Sequence, residues 1–354
     1  MSELSSPYAA QPSHAALAEI LRRLGAGACA NEPMGNHASL RIGGPADVFL
    51  AARTTSRLIE AVELASSLGV PWRVIGSGSN VLISDDGIDG LVVKSAMTSR
   101  SWKLLPSGSE ATAEAEAGCI LASLARQTAQ DGLEGLEWAI NVPGTVGGAV
   151  VNNSGAFGSS IAEHLARATV LLPGQGLTTM TPEQLGLAYR TSVLKRGELQ
   201  GVVLSGAFGL KPGARAEIQA RMHDTQRARQ AAQPTGPSLG SMFANPQGDA
   251  AGRLIEAAGL KGSRCGGAEV SALHANFMLN RGGARAQDVL ALMRQAQHAV
   301  WQEAGHWLVP EVQLVGRWRY EDRLALQSAP GQSSQSAPRG QASETFRAAR
   351  ASNQ

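Results

Sequence analysis

Apolar residues recur along this chain at two spacings, one typical of amphipathic helices and one typical of strands. The helical spacing predicts helices over 15–24, 56–68, 120–130, 216–232, 250–258 and 286–304, with Ser13 placed to cap the first. Shorter apolar runs predict strands over 46–51, 72–75, 90–94, 111–117, 166–172, 201–210, 275–279 and 311–315. We therefore expect a mixed α and β protein.

Both ends of the chain lack this patterning. Residues 1–13 are polar and carry no apolar core segment, so we expect a disordered leader rather than a signal peptide. Residues 327–354 are rich in Ser, Gln, Ala, Pro and Gly, and we expect a disordered tail. The longest uncharged stretch, 138–162, is full of Gly, Asn and Ser. It is predicted to form loops and turns, not a membrane span.

Composition narrows the class of protein. The 354 residues are 43% hydrophobic, enough for two or three domains of about 100–200 residues each. A net charge of +2, with both signs interspersed, gives no nucleic-acid surface. Three scattered cysteines without a CxxC pattern favour a reducing cytoplasm over a disulfide framework. The seven histidines form no ligand-like cluster, so we expect no catalytic metal.

Two glycine-rich segments carry the candidate chemistry. The first, 76–80, follows a predicted strand and offers backbone N–H groups, hydroxyls and an amide to an anion such as a pyrophosphate, although such a loop is often only a turn. The second, 143–158, has no charged side chain and suits the lining of a flat, polar-edged ring. Neither matches Walker A or GxGxxG, since Val81 stands where a third glycine belongs. The candidate binding residues are Gly76, Ser77, Gly78, Ser79, Asn80, Pro143, Gly144, Thr145, Gly147, Gly148 and Ala149.

Six motifs occur in order along the chain: RIGGPAD at 41–47, GSGSN at 76–80, PGTVGGAVVNNSGAFG at 143–158, AYRTS at 188–192, LGSMFANP at 239–246 and VPEV at 309–312. Together they resemble the UDP-N-acetylenolpyruvoylglucosamine reductase (MurB) family. The likeness spans about 31–316, and segment 248–283 is similar to the shorter family subtype, which lacks an extra substrate-covering tyrosine loop.

The resemblance implies an α+β, three-lobed FAD-binding fold, in which two small α/β flavin-binding lobes accompany a substrate-binding α+β lobe. On this basis we divide the chain into a leader at 1–13, a first FAD-binding subdomain at 14–96, a second at 97–212, a substrate-binding domain at 213–326 and a tail at 327–354.

The resemblance also implies a reaction. Family members reduce UDP-N-acetylglucosamine enolpyruvate to UDP-N-acetylmuramate, using NADPH as hydride donor and noncovalent FAD, for peptidoglycan precursor synthesis. Hydride reaches C3 of the enolpyruvyl group and a proton reaches C2. We accordingly expect a cytoplasmic enzyme with no nucleic-acid partner and no membrane insertion, and a monomer is the simplest expectation.

The matched motifs assign roles to individual residues. Arg190 would fork onto the substrate carboxylate, and Glu311 would help only if protonated, so that it donates a hydrogen bond. Ser241 corresponds to the family's proton donor to C2, whereas Tyr189 and Asn245 match positions that hold the diphosphate and sugar. Considered without the motifs, the three proposed catalytic residues read more simply as a surface arginine, a solvated carboxylate and a turn serine.

Several nearby residues receive a plainer interpretation. Arg221, Arg227 and Arg229 lie at helical spacing and are predicted to form a solvated face, so they are not taken as site residues. Ala244 stands where many relatives carry lysine, and Phe157 replaces a frequent tyrosine.

Two other functions stay open at this stage. One is an FAD-dependent oxidase of sugar lactones or alcohols on the same fold, which often tethers FAD through a histidine in the first glycine loop; 76–80 contains none. The other is a non-catalytic module that binds a UDP-sugar or flavin. The joint presence of Arg190, Ser241 and Glu311 disfavours it.

Overall fold

The computed structural model describes residues 12–327 of the chain. The predicted leader lies outside the described residues except for its last two positions, and the predicted tail lies outside them except for residue 327. Within 12–327, no helix has both the length and the apolar character needed to cross a membrane.

The first layer is a mixed four-stranded sheet with two helices packed against it. Its strands run in the order β1-β2-β5-β3; β1 pairs antiparallel with β2, whereas β2 and β3 both pair parallel with β5. Ser13 caps the first helix by accepting a hydrogen bond from Ala16 N at 3.2 Å. The elements are α1 (His14–Leu24), β1 (Ala28–Pro33), β2 (Pro45–Ala52), α2 (Thr55–Ser67), β3 (Trp72–Ile75), β4 (Val81–Ile83) and β5 (Ile88–Ser95).

The second layer is antiparallel. Its strands run in the order β12-β11-β13-β7-β6, and the short β8 pairs with the far end of β13. The elements are β6 (Arg100–Leu104), β7 (Ala111–Glu116), α3 (Leu121–Gln130), β8 (Leu133–Glu134), α4 (Val146–Asn152), β9 (Gly155–Ala156), β10 (Ser159–Ser160), α5 (Ile161–His164), β11 (Leu165–Leu172), β12 (Gly176–Met180) and β13 (Val202–Pro212).

The third layer packs helices on a small antiparallel sheet of order β14-β17-β16-β15. Its last strand, β18, leaves this sheet and pairs parallel with β4 of the first layer. The elements are α6 (Arg215–Ala232), β14 (Ser238–Ser241), α7 (Ala251–Ala257), β15 (Arg264–Cys265), β16 (Ala268–Val270), β17 (Phe277–Asn280), α8 (Ala286–Ala304), β18 (Gln313–Val315) and α9 (Tyr320–Gln327).

All six predicted helices are present, and each end lies within one residue of its expected position. Their amphipathic faces are the strongest local signal in a sequence, which explains the agreement. The strands β1, β6 and β12 were not predicted; each lies at the edge of its sheet, where most of its side chains are exposed and leave no clear alternation. Seven short strands of two to four residues were also not predicted, namely β4, β8, β9, β10, β14, β15 and β16.

The prediction of loops and turns throughout 138–162 was wrong, because this stretch contains the helix α4. The helix buries Val146, Ala149 and Val150. Its glycines allow close packing, since a Cβ on Gly147 would lie 2.8 Å from the Cβ of Ala117. Two adjacent glycines disfavour a helix locally, so tertiary packing decides the conformation here.

The first and third layers are also joined by a carboxylate. Asp85 accepts hydrogen bonds from Ala286 N at 2.8 Å and Gln287 N at 3.1 Å, at the start of α8. We therefore expect Asp85→Ala to lower the free energy of unfolding by about 1–2 kcal/mol, as loss of a helix cap does. Urea unfolding followed by circular dichroism measures it. Asp86→Ala, at the exposed neighbouring position, is the matched control; equal stability of the two variants would contradict the capping role.

Candidate active site

A cavity of about 820 Å³ is lined by residues from all three layers. A volume of this size is typical of sites for cofactors and small molecules. The lining includes every one of the eleven candidate binding residues in the two glycine-rich segments, together with Arg190, Ser241 and Glu311. Residues that are far apart in the sequence thus surround one space.

The first glycine loop fits tightly between its neighbours. A Cβ on Gly76 would overlap Oγ1 of Thr145, in the second glycine segment. Gly78 has a φ of +64°, and a Cβ there would overlap the carbonyl of His37. The hydroxyl of Ser77 is buried and has no hydrogen-bond partner among the described residues. The loop therefore presents a polar atom that a bound ligand can satisfy.

The second glycine segment supplies a neutral wall. It runs from a tight turn at Gly144, whose φ is +122°, into α4, which ends in the left-handed residue Asn153. A Cβ on Gly144 would lie 3.1 Å from Oγ of Ser79, so the two loops touch each other at this point. Small, uncharged residues on one side and an unpartnered hydroxyl on the other fit FAD, whose ring is flat and whose edges are polar.

Arg190 and Glu311 form a partly buried pair. Nε of Arg190 lies 3.2 Å from Oε1 of Glu311, and Nη2 of Arg190 donates to the carbonyl of Gly155 at 2.7 Å. Burial raises the pKa of Glu311 above its ordinary value, although the charges of Arg190 and Lys195 act in the opposite direction. The carboxyl group is thus shifted toward its protonated form.

Ser241 and Glu311 are brought together by backbone hydrogen bonds. Ser241 ends β14, where its backbone pairs with Phe277 of β17. The next residue, Met242, accepts hydrogen bonds from the backbone N–H of Glu311 at 2.9 Å. Because the two segments run side by side, the serine hydroxyl and the carboxyl group line the same cavity.

Three carboxamides connect the glycine segments to the strand that follows Glu311. Asn80 Nδ2 donates to Oδ1 of Asn152 at 3.2 Å and to the carbonyl of Glu311 at 3.3 Å. Gln313 Nε2 donates to the same Oδ1 of Asn152 at 3.3 Å. Sequence reasoning selected only Asn80. Asn152 and Gln313 carried no separate local signal, since amides are common in turns and on strands.

The prediction of a solvated arginine face on α6 was wrong for one residue. Arg221 pairs with Glu134 and Glu137, and Arg227 pairs with Asp224. Arg229 instead lines the cavity, where burial, and then the charge of Arg190, lowers its pKa to about 10. A signal was present in the sequence, because residue 229 follows the apolar, buried Met222 by seven positions and so shares its helix face.

Lys195 is a second cation that sequence reasoning missed. Its Nζ donates to the carbonyl of Arg190 at 2.9 Å and to the carbonyl of Glu311 at 3.4 Å. Burial lowers the pKa of Lys195, opposed by the nearby charge of Glu311.

Tyr189 and Asn245 contact each other outside the cavity lining. The backbone N–H of Asn245 donates to Oη of Tyr189 at 3.4 Å, and both residues are exposed. The guanidinium of Arg190 lies 5.5 Å from the centre of the Tyr189 ring. Their substrate-binding roles stay a prediction. Phe157, one of the departures from the motifs, is 54% exposed and lines the cavity.

Hydroxyl, carboxyl and cationic side chains line the cavity. Among residues 12–327, no group of three or more His, Cys, Asp or Glu side chains is arranged to hold a metal ion.

Comparisons with known proteins agree with this site. Residues 46–181 match the model of an FAD binding domain, and residues 231–315 match that of the UDP-N-acetylenolpyruvoylglucosamine reductase C-terminal domain. The chain is 45% identical over 296 residues to the reductase of that name from Rubrobacter xylanophilus, covering 84% of this chain and 98% of the relative. It is 46% identical over 287 residues to the one from a Synechococcus species, covering 80% and 92%.

A solved structure is similar over the same range. The crystal structure of UDP-N-acetylenolpyruvylglucosamine reductase (MurB) from Thermus caldophilus superimposes with a TM-score of 0.67 at 34% identity. The match covers 80% of this chain and 98% of that one. The described residues therefore adopt the three-lobed FAD-binding fold that the motifs implied.

Gly76 provides a test of the cofactor pocket. Gly76→Ala would force its Cβ against Thr145, a cost of about 1–3 kcal/mol, and we expect FAD affinity to fall about tenfold. Fluorescence titration of the apoprotein with FAD measures the change. Gly209→Ala is the matched control, because the Cβ would meet only the His164 carbonyl at 3.9 Å. Unchanged FAD affinity in Gly76→Ala would rule out close contact between this loop and the cofactor.

Proposed function

This chain belongs to the UDP-N-acetylenolpyruvoylglucosamine reductase family, and on that premise we propose that Arg190, Ser241 and Glu311 are its catalytic residues. The protein is an FAD-dependent oxidoreductase that reduces UDP-N-acetylglucosamine enolpyruvate to UDP-N-acetylmuramate with NADPH, in peptidoglycan precursor synthesis. The observation that best supports the residue assignment is that all three side chains line one cavity with the two glycine segments.

When bound, FAD would supply the redox chemistry of the reaction, the transfer of hydride between NADPH and C3 of the enolpyruvyl group. The protein's own residues would stabilise the charge that develops on the substrate. Hydride addition at C3 pushes negative charge through C2 onto the substrate carboxylate. Arg190 offers a fixed cation with a forked array of donors, which suits that charge.

Glu311 is proposed to act as a neutral acid. An ionised carboxylate would repel the charge that develops on the substrate, whereas a protonated one donates a hydrogen bond to it. The burial that raises its pKa supports this role. A bound anionic substrate would raise the pKa further, because a nearby negative charge disfavours ionisation.

Ser241 is proposed to deliver the proton to C2. A serine hydroxyl is a weak acid, so the proton that it gives must be replaced from a neighbour or from water. Glu311 is a suitable neighbour, because its backbone is hydrogen-bonded to the residue after Ser241.

The remainder of the substrate needs positive charge and polar contacts. We propose that Arg229 attracts the diphosphate, since it is a cation that lines the cavity. Tyr189 and Asn245 lie beside Arg190 and are proposed to contact the diphosphate and the sugar. This arrangement would compensate for Ala244, which cannot supply the charge of the lysine that many relatives carry there.

We also propose that the enzyme works as a cytoplasmic monomer. Its three cysteines are free in the structure, as expected in a reducing compartment.

Anaerobic spectroscopy tests this function directly. Noncovalent flavin should bleach with NADPH and regain its colour on addition of UDP-N-acetylglucosamine enolpyruvate. Ser241→Ala should slow the return by about 10²-fold or more, as loss of a general acid does, and spare the bleaching. Ser238→Ala, on the same strand, is the control. Return of colour only with oxygen or a sugar lactone would favour an oxidase, and retention of flavin after denaturation would indicate a covalent tether.

The pH dependence tests Glu311. The acid form predominates below its raised pKa, so the rate of the substrate half-reaction should fall as the pH rises through that pKa. Glu311→Gln keeps a neutral donor, so the rate of the substrate half-reaction should no longer fall at high pH. In Glu311→Ala that rate should be about 10²–10³-fold lower at all pH values. Stopped-flow traces between pH 5 and pH 9, about the accessible range, measure this. Glu198→Gln, an exposed carboxyl, is the control. An unchanged high-pH limb in Glu311→Gln would assign the titration to another group.

A further inference from the structure

The lysine that follows the arginine segment touches both members of the proposed catalytic pair through their backbones. Lys195 Nζ donates to the carbonyl of Arg190 at 2.9 Å and to that of Glu311 at 3.4 Å. These two residues are separated by more than a hundred positions and belong to different layers. The ammonium group of Lys195 thus bridges the two carbonyls directly.

Lys195 is itself held in place by its own turn. Ser192 is buried; its hydroxyl donates to the carbonyl of Val151 at 2.6 Å and accepts from the backbone N–H of Lys195 at 3.1 Å. The lysine therefore begins from a backbone position that is anchored to the end of α4. A side chain fixed at its base can hold other segments at a defined distance.

Both carbonyls belong to constrained segments. Arg190 adopts a φ of +57°, a left-handed conformation that is uncommon for an arginine. The carbonyl of Glu311 is shared with the amide of Asn80 at 3.3 Å. A charge-assisted hydrogen bond stabilises each carbonyl more than a neutral donor does.

We propose that Lys195 is a positioning residue of the substrate half-reaction, whose ammonium group sets the separation of Arg190 and Glu311 by bridging their backbone carbonyls. The proposal rests on the proposed function of that pair. A lysine suits the task better than an arginine, because it donates from one compact point to two converging acceptors.

The pH dependence of the rate would distinguish the charge of Lys195 from a role in packing alone. The cations that face the Glu311 carboxyl are Arg190 and Lys195, with Arg229 lying beyond Arg190, and both Arg190 and Lys195 lower its pKa. Removing the lysine charge should therefore raise the pKa of Glu311. Since the acid form is the active one, the fall in rate should move to higher pH.

The experiment compares Lys195→Met with the wild-type protein loaded with FAD. Bleaching by NADPH should stay within about twofold, and reoxidation by UDP-N-acetylglucosamine enolpyruvate should slow about 10²-fold, as small displacements of catalytic groups do. The high-pH limb of reoxidation should shift upward. Lys195→Arg, which keeps the charge, should restore part of the rate and the wild-type limb. Lys211→Met, at an exposed lysine, is the matched control and should change neither half-reaction.

Several outcomes separate this proposal from the proposed function. Absence of substrate-dependent reoxidation in the wild-type protein would overturn the function itself. Normal wild-type behaviour with an unimpaired Lys195→Met would overturn only the role of the lysine. A folded Lys195→Met protein that slows both half-reactions equally and leaves the high-pH limb of reoxidation in place would also overturn the role of the lysine. That result would indicate general structural damage. If Lys195→Met unfolds at a lower temperature or loses flavin, Lys195→Gln replaces it. We expect the same difference between the two half-reactions and the same upward shift of the high-pH limb.

Discussion

The site depends on the return of the chain from the third layer to the first. After leaving the third sheet, the backbone pairs β18 in parallel with β4, with Gln313 opposite Val81. The backbone N–H of Gln313 donates to the carbonyl of Asn80 at 3.1 Å, which ties the strand directly to the end of the first glycine loop. Parallel pairing fixes register, since a slip of one residue would turn every side chain to the opposite face. The position of Glu311, two residues before β18, follows from this register.

The same return brings a carboxyl group into a partly buried, cation-rich environment. Arg190, Lys195 and Arg229 all line the cavity, and burial lowers the pKa of Lys195 and of Arg229. A buried carboxyl group beside cations is caught between desolvation, which favours the acid, and Coulomb attraction, which favours the anion. Desolvation is the larger of the two for Glu311. Burial therefore favours the acid form of Glu311 even though this carboxyl group lies next to an arginine.

The sequence predicted the fold better than the site. Helices with a continuous apolar face, such as α8, were located from spacing alone, and the motifs selected two glycine segments that line the cavity. Spacing failed for α4, where Gly147 and Gly148 disfavour a helix that close packing on Ala117 makes favourable. It also failed for Lys195, whose role depends on two backbone carbonyls that only the folded chain brings together. Hydrogen bonds to a distant main chain leave no pattern in side-chain types.

Charge is divided between the two sides of the cavity, and this division follows from how each ligand is recognised. The segments 76–80 and 143–149 contribute no charged side chain. Close packing within the protein restricts any residue with a Cβ at Gly76, against Thr145, and at Gly78, against the carbonyl of His37. Apart from Arg73, the charged side chains that line the cavity come from segments after 188. A cofactor that stays bound needs complementary shape, whereas a substrate that gains negative charge during the reaction needs fixed charges aimed at that change. Building the two sides from separate segments of the chain lets each meet its own requirement.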